Sequence, residues 1–202
     1  MVLPLRPSRQ QIDDQIVDRA AALFARHGFA ATSLQAVADA VGYSKAGLLH
    51  HFPSKEALHA AALTLSRAQA QQVLDRLADC SAGPERDRRA VEALADATLA
   101  TPGLTALNLS QVLELGTSRA AAPGEQEGEV LFQIFGIDPA DHDPDRLVRV
   151  ISAMAGMSVV ALVAAQVQDV ARWRQSMVTA ALDALGHRRP GATSSRSDQV
   201  EA

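Results

Sequence analysis

The sequence predicts an all-α protein of about nine helices. Three observations carry this: 39 of 202 residues are alanine, aromatics make up only 3 %, and glycine, proline and capping residues punctuate the chain at helix-length intervals. Alanine is the best helix former and a poor strand residue, so a β-sandwich or β-barrel is excluded. With 23 leucines the chain has the material for a core, which excludes an extended disordered polymer.

Each element follows from its own start and stop signals. Ser8 and Gln11 have capping-box spacing and open an apolar face through Ile12, Ile16, Ala20, Leu23 and Phe24, which Gly28 ends. Thr32 with Gln35 repeats the box for a short helix through Leu34, Val37, Ala38 and Val41 to Gly42. Ser44 caps a third helix that stops near Phe52, before Pro53. Ser54 caps a fourth, with Glu56 in its first turn, where a negative charge meets the positive helix end. The apolar stripe Leu58, Leu65, Val73, Leu74 and Leu77 carries that helix to the neighbourhood of Cys80. Gly83-Pro84, Pro102-Gly103, Pro123-Gly124 and Pro144 place proline in first helical turns. They imply helices of about 85–100, 104–116, 125–136, 145–167 and 169–186, the last closed by Gly186. Residues 187–202, rich in Ser, Arg and Gly, read as a disordered tail.

Several functions fall away on chemistry. The single cysteine, Cys80, excludes an intramolecular disulfide framework and a Cys-rich zinc site, fits a reducing compartment, and has no resolving partner for redox sensing. Asp141, Asp143 and Asp145 have the opening spacing of a calcium loop, but Arg146 stands where the glycine belongs and Ser152 where the closing glutamate belongs. The cluster reads as a polar loop whose last member caps a helix. His50 and His51 are adjacent on a helix and face different directions, so they do not converge on a metal. No metal, cofactor or catalytic site is expected, since no nucleophile–base pair or glycine-rich phosphate loop is present. The N-terminal apolar run is too short for a signal peptide. Residues 150–168 carry no charge over a length near that of a bilayer crossing. Ser152, Gly156, Ser158, Gln166 and Gln168 dilute that stretch, which favours a buried or dimer-forming helix and a soluble, cytoplasmic protein without a membrane partner.

The function signal lies in residues 33–51. Two short helical runs, SLQAVADA and SKAGLLHH, flank the turn VGY, the format of a helix-turn-helix whose second helix enters a major groove. Gly42 gives the turn its backbone freedom, and Leu34, Val37, Ala38, Val41 and Leu48 supply a small core that fixes the helix angle. Ser44, Lys45, Ala46 and Gly47 are short or cationic, so this helix start can approach DNA closely. Taken as a single number, the net charge of -4 speaks against a nucleic-acid partner. Its distribution reverses that reading: residues 1–60 hold six basic against five acidic side chains, both lysines and four of the six histidines, and the acidity belongs to the rest.

The run from Ile16 to Phe29, Ala31-Thr32-Ser33, and the run from Val37 to Leu58 resemble the DNA-binding domain of the TetR (tetracycline-repressor-like) family, with Phe24, Phe29, Phe52, Lys55 and the glycines in register. The resemblance covers about residues 9–60; residues 61–202 match in helix number and length alone. It implies a helix-turn-helix DNA-binding domain at 9–69, with the motif at about 32–51, and a helical ligand-binding and dimerisation domain at 70–186. It also implies a homodimeric regulator, usually a repressor, released from palindromic double-stranded operator DNA by a small-molecule effector. The alternative is a DNA-bound regulator controlled by a protein partner.

Residue roles implied by the resemblance follow the motif. Thr32 and Ser33 meet a phosphate, and Gln35 touches backbone or a base edge. Lys45, Ala46 and Gly47 follow Ser44 at the reading end of the third helix, His50 or His51 reaches a phosphate, and Lys55 matches a phosphate-contacting lysine. The chain departs from many members at Gly47, where a threonine is common, and at Leu49, where a tyrosine is common. Leu49 is left to touch a thymine methyl or to pack.

The resemblance places the dimer interface on the last two long helices. There Ser152, Gly156, Val159, Val160 and Val163 offer apolar surface of little bulk, with Trp173 and Met177 at its edge; an internal core is the other reading. Asn108, Gln111 and Glu114 recur every three residues on an otherwise leucine-rich helix. They describe either polar groups in a small-molecule pocket or the solvent face of an amphipathic helix. Met154 and Met157 either line such a pocket or fill core.

Overall fold

The computed structural model describes residues 8–117, 130, 132–138, 143–166 and 170–187, without the side chains of 113–117. Among these, eight helices run in the order α1 (Arg9–His27), α2 (Leu34–Val41), α3 (Lys45–His51), α4 (Lys55–Asp75), α5 (Pro84–Ala100), α6 (Pro102–Thr117), α7 (Pro144–Ala164) and α8 (Val170–Ala184), with no strand. The helix expected at 125–136 lies mostly outside the described residues; 130 and 132–134 are helical.

The caps of α1, α3 and α4 hold the helix starts where the sequence places them, and those of α2 and α7 are corrections. Ser8 and Gln11 form the reciprocal box, at 3.2 Å to the Ser8 hydroxyl and 2.8 Å back to the Gln11 side chain. Ser44 and Ser54 accept the N–H three residues on, at 3.0 and 3.1 Å. In α2 the cap is Ser33, accepting from Ala36 N–H at 3.1 Å, and not Thr32. Thr32 is buried; its hydroxyl donates to the Gly28 carbonyl at 2.8 Å and lies 3.3 Å from that of Leu23, so it ties the α1–α2 connection to the end of α1. Gly42 adopts φ 74°, ψ 25°, a left-handed cap that lets α3 turn away from α2.

Buried side chains form two clusters. The first gathers Ile16, Val17, Ala20 and Phe24 of α1, Val37 and Ala38 of α2, Leu48 of α3, Leu58 and Ala62 of α4, and also Leu104 and Leu107 of α6. The second joins Val73 and Leu77 to α5, the 134–137 segment, α7 and α8. α4 thus runs from one cluster into the other. α6 begins on the far side of the expected domain boundary in sequence, yet contributes to the headpiece core.

The α6 seat on α1 is close. Gly103 is buried, and a Cβ there would stand 1.8 Å from the Asp18 carbonyl oxygen. Only glycine lets the start of α6 approach the α1 backbone this closely. The Asp18 carboxylate accepts the Leu104 N–H at 2.9 Å, satisfying an amide that the first turn of α6 leaves without an intrahelical partner. Burial pushes the Asp18 carboxyl above the usual carboxylate range, against the backbone N–H groups of Leu104 and Gly103, which pull it down.

In the body, Arg86 spreads its guanidinium over the carbonyls of Leu77, Cys80, Gln133 and Ile134. Its neighbour Asp87, 1 % exposed, accepts from Arg146 Nη2 at 2.6 Å and from His187 Nε2 at 2.6 Å. His187 is therefore part of the folded body and not of a tail; 188–202 lie outside the described residues. Asp143, rather than the last aspartate of its run, caps α7 through the Asp145 N–H at 3.0 Å; Asp141 lies outside the described residues. α7 is long and apolar enough to cross a membrane by length and composition, with mean hydropathy 2.1 over 18 residues, and it buries Val150, Ala153, Met157, Ala161 and Ala164 in the protein.

Candidate nucleic-acid interface

α3 is only seven residues long, so its position depends on what anchors it. Leu48 is fully buried and fixes the inward face. At the C-terminal end His51 pairs with Asp13 of α1, Nδ1 to Oδ1 at 2.6 Å, and lies edge-on to Tyr43 with ring centroids 5.5 Å apart. A carboxylate only accepts, so Nδ1 carries the proton in this bond. His51 was expected as one of two candidates for a phosphate; the structure places it half-buried behind the helix, holding α3 against α1. His50 is the exposed member of the pair.

Lys45, Ala46, Leu49 and His50 are exposed along α3, while the Ser44 hydroxyl is occupied in its cap. On α2, Ser33 and Gln35 are exposed, and Gln35 Nε2 donates to Asp39 Oδ1 at 2.7 Å. Thr32, like His51, is withdrawn from the surface, for the reason given above.

Lys55 sits at the first turn of α4. Its ammonium donates to the carbonyls of Phe29 and Ala30 at 2.9 and 3.3 Å and lies 4.4 Å from the Phe29 ring centroid. Phe29 also meets His59 and Phe24, with ring centroids at 5.0 and 5.6 Å. The α1–α2 loop is thereby fastened to α4, which sets where the start of α2 stands. Asp13 and His59 escape sequence reasoning, because each works through a partner distant in the chain and belongs to no local pattern; Tyr43 lies in the turn, but its packing on His51 is not signalled there.

Two short helices held at a fixed angle, with an exposed polar and weakly basic face on the second, define a helix-turn-helix DNA-binding domain. Residues 16–62 match the family described as bacterial regulatory proteins, tetR family. The match spans 47 of the 202 residues, and over that segment the chain is similar to tetR-family regulators. No curated protein matches it. Among solved structures it is similar to a TetR-like transcriptional regulator from Rhodococcus sp. RHA1, at 22 % identity over 91 % of this chain and 100 % of that one, with TM-score 0.50. A TetR-family regulator from Streptomyces coelicolor A3 is 21 % identical over 90 % and 98 % of the two chains, with TM-score 0.38. AibR, solved with isovaleryl coenzyme A and operator DNA, is 22 % identical over 90 % of each chain, with TM-score 0.39.

The body surfaces resolve several open readings. On α7, Ser152, Gly156, Val159 and Val163 lie exposed along one stripe with Val148 and Ile151, and a Cβ on Gly156 would meet nothing within 4 Å. Val160 is half-buried against the body core, and Trp173 is half-buried on α8. Met177 is 3 % exposed and belongs to that core, which corrects its placement at an interface edge. Met157 is core and Met154 packs against it, so neither lines a pocket wall among the described residues.

Asn108 exchanges hydrogen bonds with Ser66 of α4 at 2.9 and 3.1 Å, and Gln111 is half-buried; the Glu114 side chain lies outside the described residues. A groove of about 240 Å³ lies between α4 and α5, with Gln69, Gln72, Arg76 and Asp96 around an alanine wall. A bidentate bond from Arg174, at 2.5 and 2.9 Å, holds the Asp96 carboxyl below its usual range.

Proposed function

We propose that the protein is a homodimeric repressor that leaves palindromic operator DNA when a small molecule binds its helical body. The observation that carries the reading is the α6 seat. Leu104 and Leu107 complete the headpiece core while the same helix packs against α5 and α7 of the body, so in this reading a change in the body moves the frame that holds α3. In this reading Ser33, Gln35, Lys45, Ala46, Gly47, His50 and Lys55 face the duplex, and Thr32 and His51 hold the motif from behind. Reading two half-sites needs two copies about 34–36 Å apart, and the exposed α7 stripe is the surface that supports their pairing. The α4–α5 groove supports an effector site, being concave, partly apolar and edged by a few polar groups. Its volume suits a small effector. A soluble, cytoplasmic, non-enzymatic protein accords with this role.

The test is a mobility shift on DNA flanking the protein's own gene at several salt concentrations, with light scattering in parallel. Sequence-specific, salt-sensitive binding by a dimer is expected, along with a raised melting temperature when an effector binds. Val159→Glu places a charge on the α7 stripe and should give a folded monomer with weakened operator binding. A dimer that survives this change sinks the assignment of the interface.

A further inference from the structure

The outward face of α3 is poor in the side chains that usually read bases. With Leu48 inside, the helical repeat places Leu49, Ala46 and His50 outward, with Lys45 one turn before Leu49. No Arg, Asn or Gln occurs on this helix, and Lys45 is its one side chain of the kind that reads guanine or adenine with two hydrogen bonds. Leu49 is 39 % exposed and belongs to neither core, so packing does not account for it. On the far flank Gly47 leaves bare backbone, where a Cβ would crowd the Ser44 hydroxyl at 3.2 Å and the Tyr43 ring at 3.4 Å. A branched apolar side chain therefore stands free on the part of a DNA-binding domain that faces the major groove. The apolar feature of that groove is the C5 methyl of thymine.

We infer that Leu49 is a specificity-determining residue that contacts a thymine methyl in each half-site and so selects thymine over cytosine there. The inference rests on α3 being the DNA-reading helix. Lys45, on the same side and one turn earlier, supplies the only fixed positive charge on the reading face, so selection depends more on the methyl than on charge. A leucine–methyl contact is also insensitive to salt, unlike contacts to phosphate.

The experiment selects binding sites for the full-length protein from a random duplex library, then replaces each thymine of the selected site by deoxyuridine, which lacks only the methyl. Wild type should lose about fourfold in affinity at one position per half-site, the size expected for removing one buried methyl-sized group. Leu49→Ala should bind more weakly and respond equally to thymine and uracil at that position. Leu49→Gln, with a bidentate amide, should shift the selected base there towards adenine. Both changes are at an exposed site, and an unchanged melting temperature confirms folding. Indifference of wild type to every deoxyuridine, or full sensitivity retained by Leu49→Ala, overturns the inference. Loss of self-association in place of altered base choice overturns it too. Failure to select any site overturns instead the DNA-reading role of α3, on which it stands.

Discussion

Replacing Gly103 by alanine tests the link between body and headpiece directly. The new Cβ would fall 1.8 Å from the Asp18 carbonyl oxygen, 2.7 Å from its carbon and 2.9 Å from the carboxylate oxygen Oδ1. Ordinary contact begins near 3.4 Å, so α6 has to retreat from α1 by roughly 1.6 Å. A retreat of that size stretches the 2.9 Å bond from Leu104 N–H to Asp18 beyond hydrogen-bonding range and leaves a part-buried carboxylate short of a donor. It also draws Leu104 and Leu107 out of the headpiece core. Overpacking costs about 1–3 kcal/mol and loss of a charge-assisted hydrogen bond about 1.5–3 kcal/mol, while alanine returns up to about 1 kcal/mol of helix propensity. The net loss is about 1.5–6 kcal/mol. For a chain of this length that lowers the melting temperature by roughly 3–24 °C. Thermal unfolding followed by far-ultraviolet circular dichroism reads it, and a melting temperature within about 2 °C of wild type would refute the close seat and the coupling built on it.

Two further predictions concern buried charge. Arg146→Ala leaves the Asp87 carboxylate, 1 % exposed, with His187 alone, and should cost about 3–5 kcal/mol in denaturant unfolding; a loss below about 1 kcal/mol would show that His187 suffices. Asp18 has a carboxyl raised by burial, so the folded state holds its proton to higher pH than the unfolded chain does. Its contribution to stability therefore falls as pH rises from the ordinary carboxylate range through the raised value. Asp18→Asn keeps an acceptor for Leu104 N–H and removes this ionisation, so its stability relative to wild type should climb across that window and level off above it. Parallel stability curves at all pH values would count against the burial effect.

Local rules made most of the fold legible. Ser8, Ser44 and Ser54 cap where their spacing predicts, and the glycine-bearing turn between α2 and α3 forms at Gly42. Thr32 and Ser33 show the limit of such rules: both are capping residues in adjacent positions, and the choice between them depends on Thr32 reaching the carbonyls of Leu23 and Gly28. The same holds for His51, whose partner lies 38 residues earlier, and for Met177, which periodicity alone allows on either side of α8. The exposed face of α3 was readable because a seven-residue helix with one buried leucine has little freedom of register. The role of α6 in the headpiece was not, since nothing near Gly103 in sequence points to Asp18.

The bond between His187 and Asp87 has a consequence for synthesis of the chain. It spans 100 residues, and the bond from Leu104 to Asp18 spans 86. A nascent headpiece emerging alone therefore lacks Leu104 and Leu107 and holds an unfinished core until more than half the chain has left the ribosome. The body, in turn, leaves Asp87 incompletely neutralised until the final helix is released. Closing such long loops carries an entropy cost before the contacts repay it. The two units thus mature late and close together in time, and a ribosome stalled before residue 187 would carry exposed Val91, Val150 and Phe135 surface for chaperones to shield.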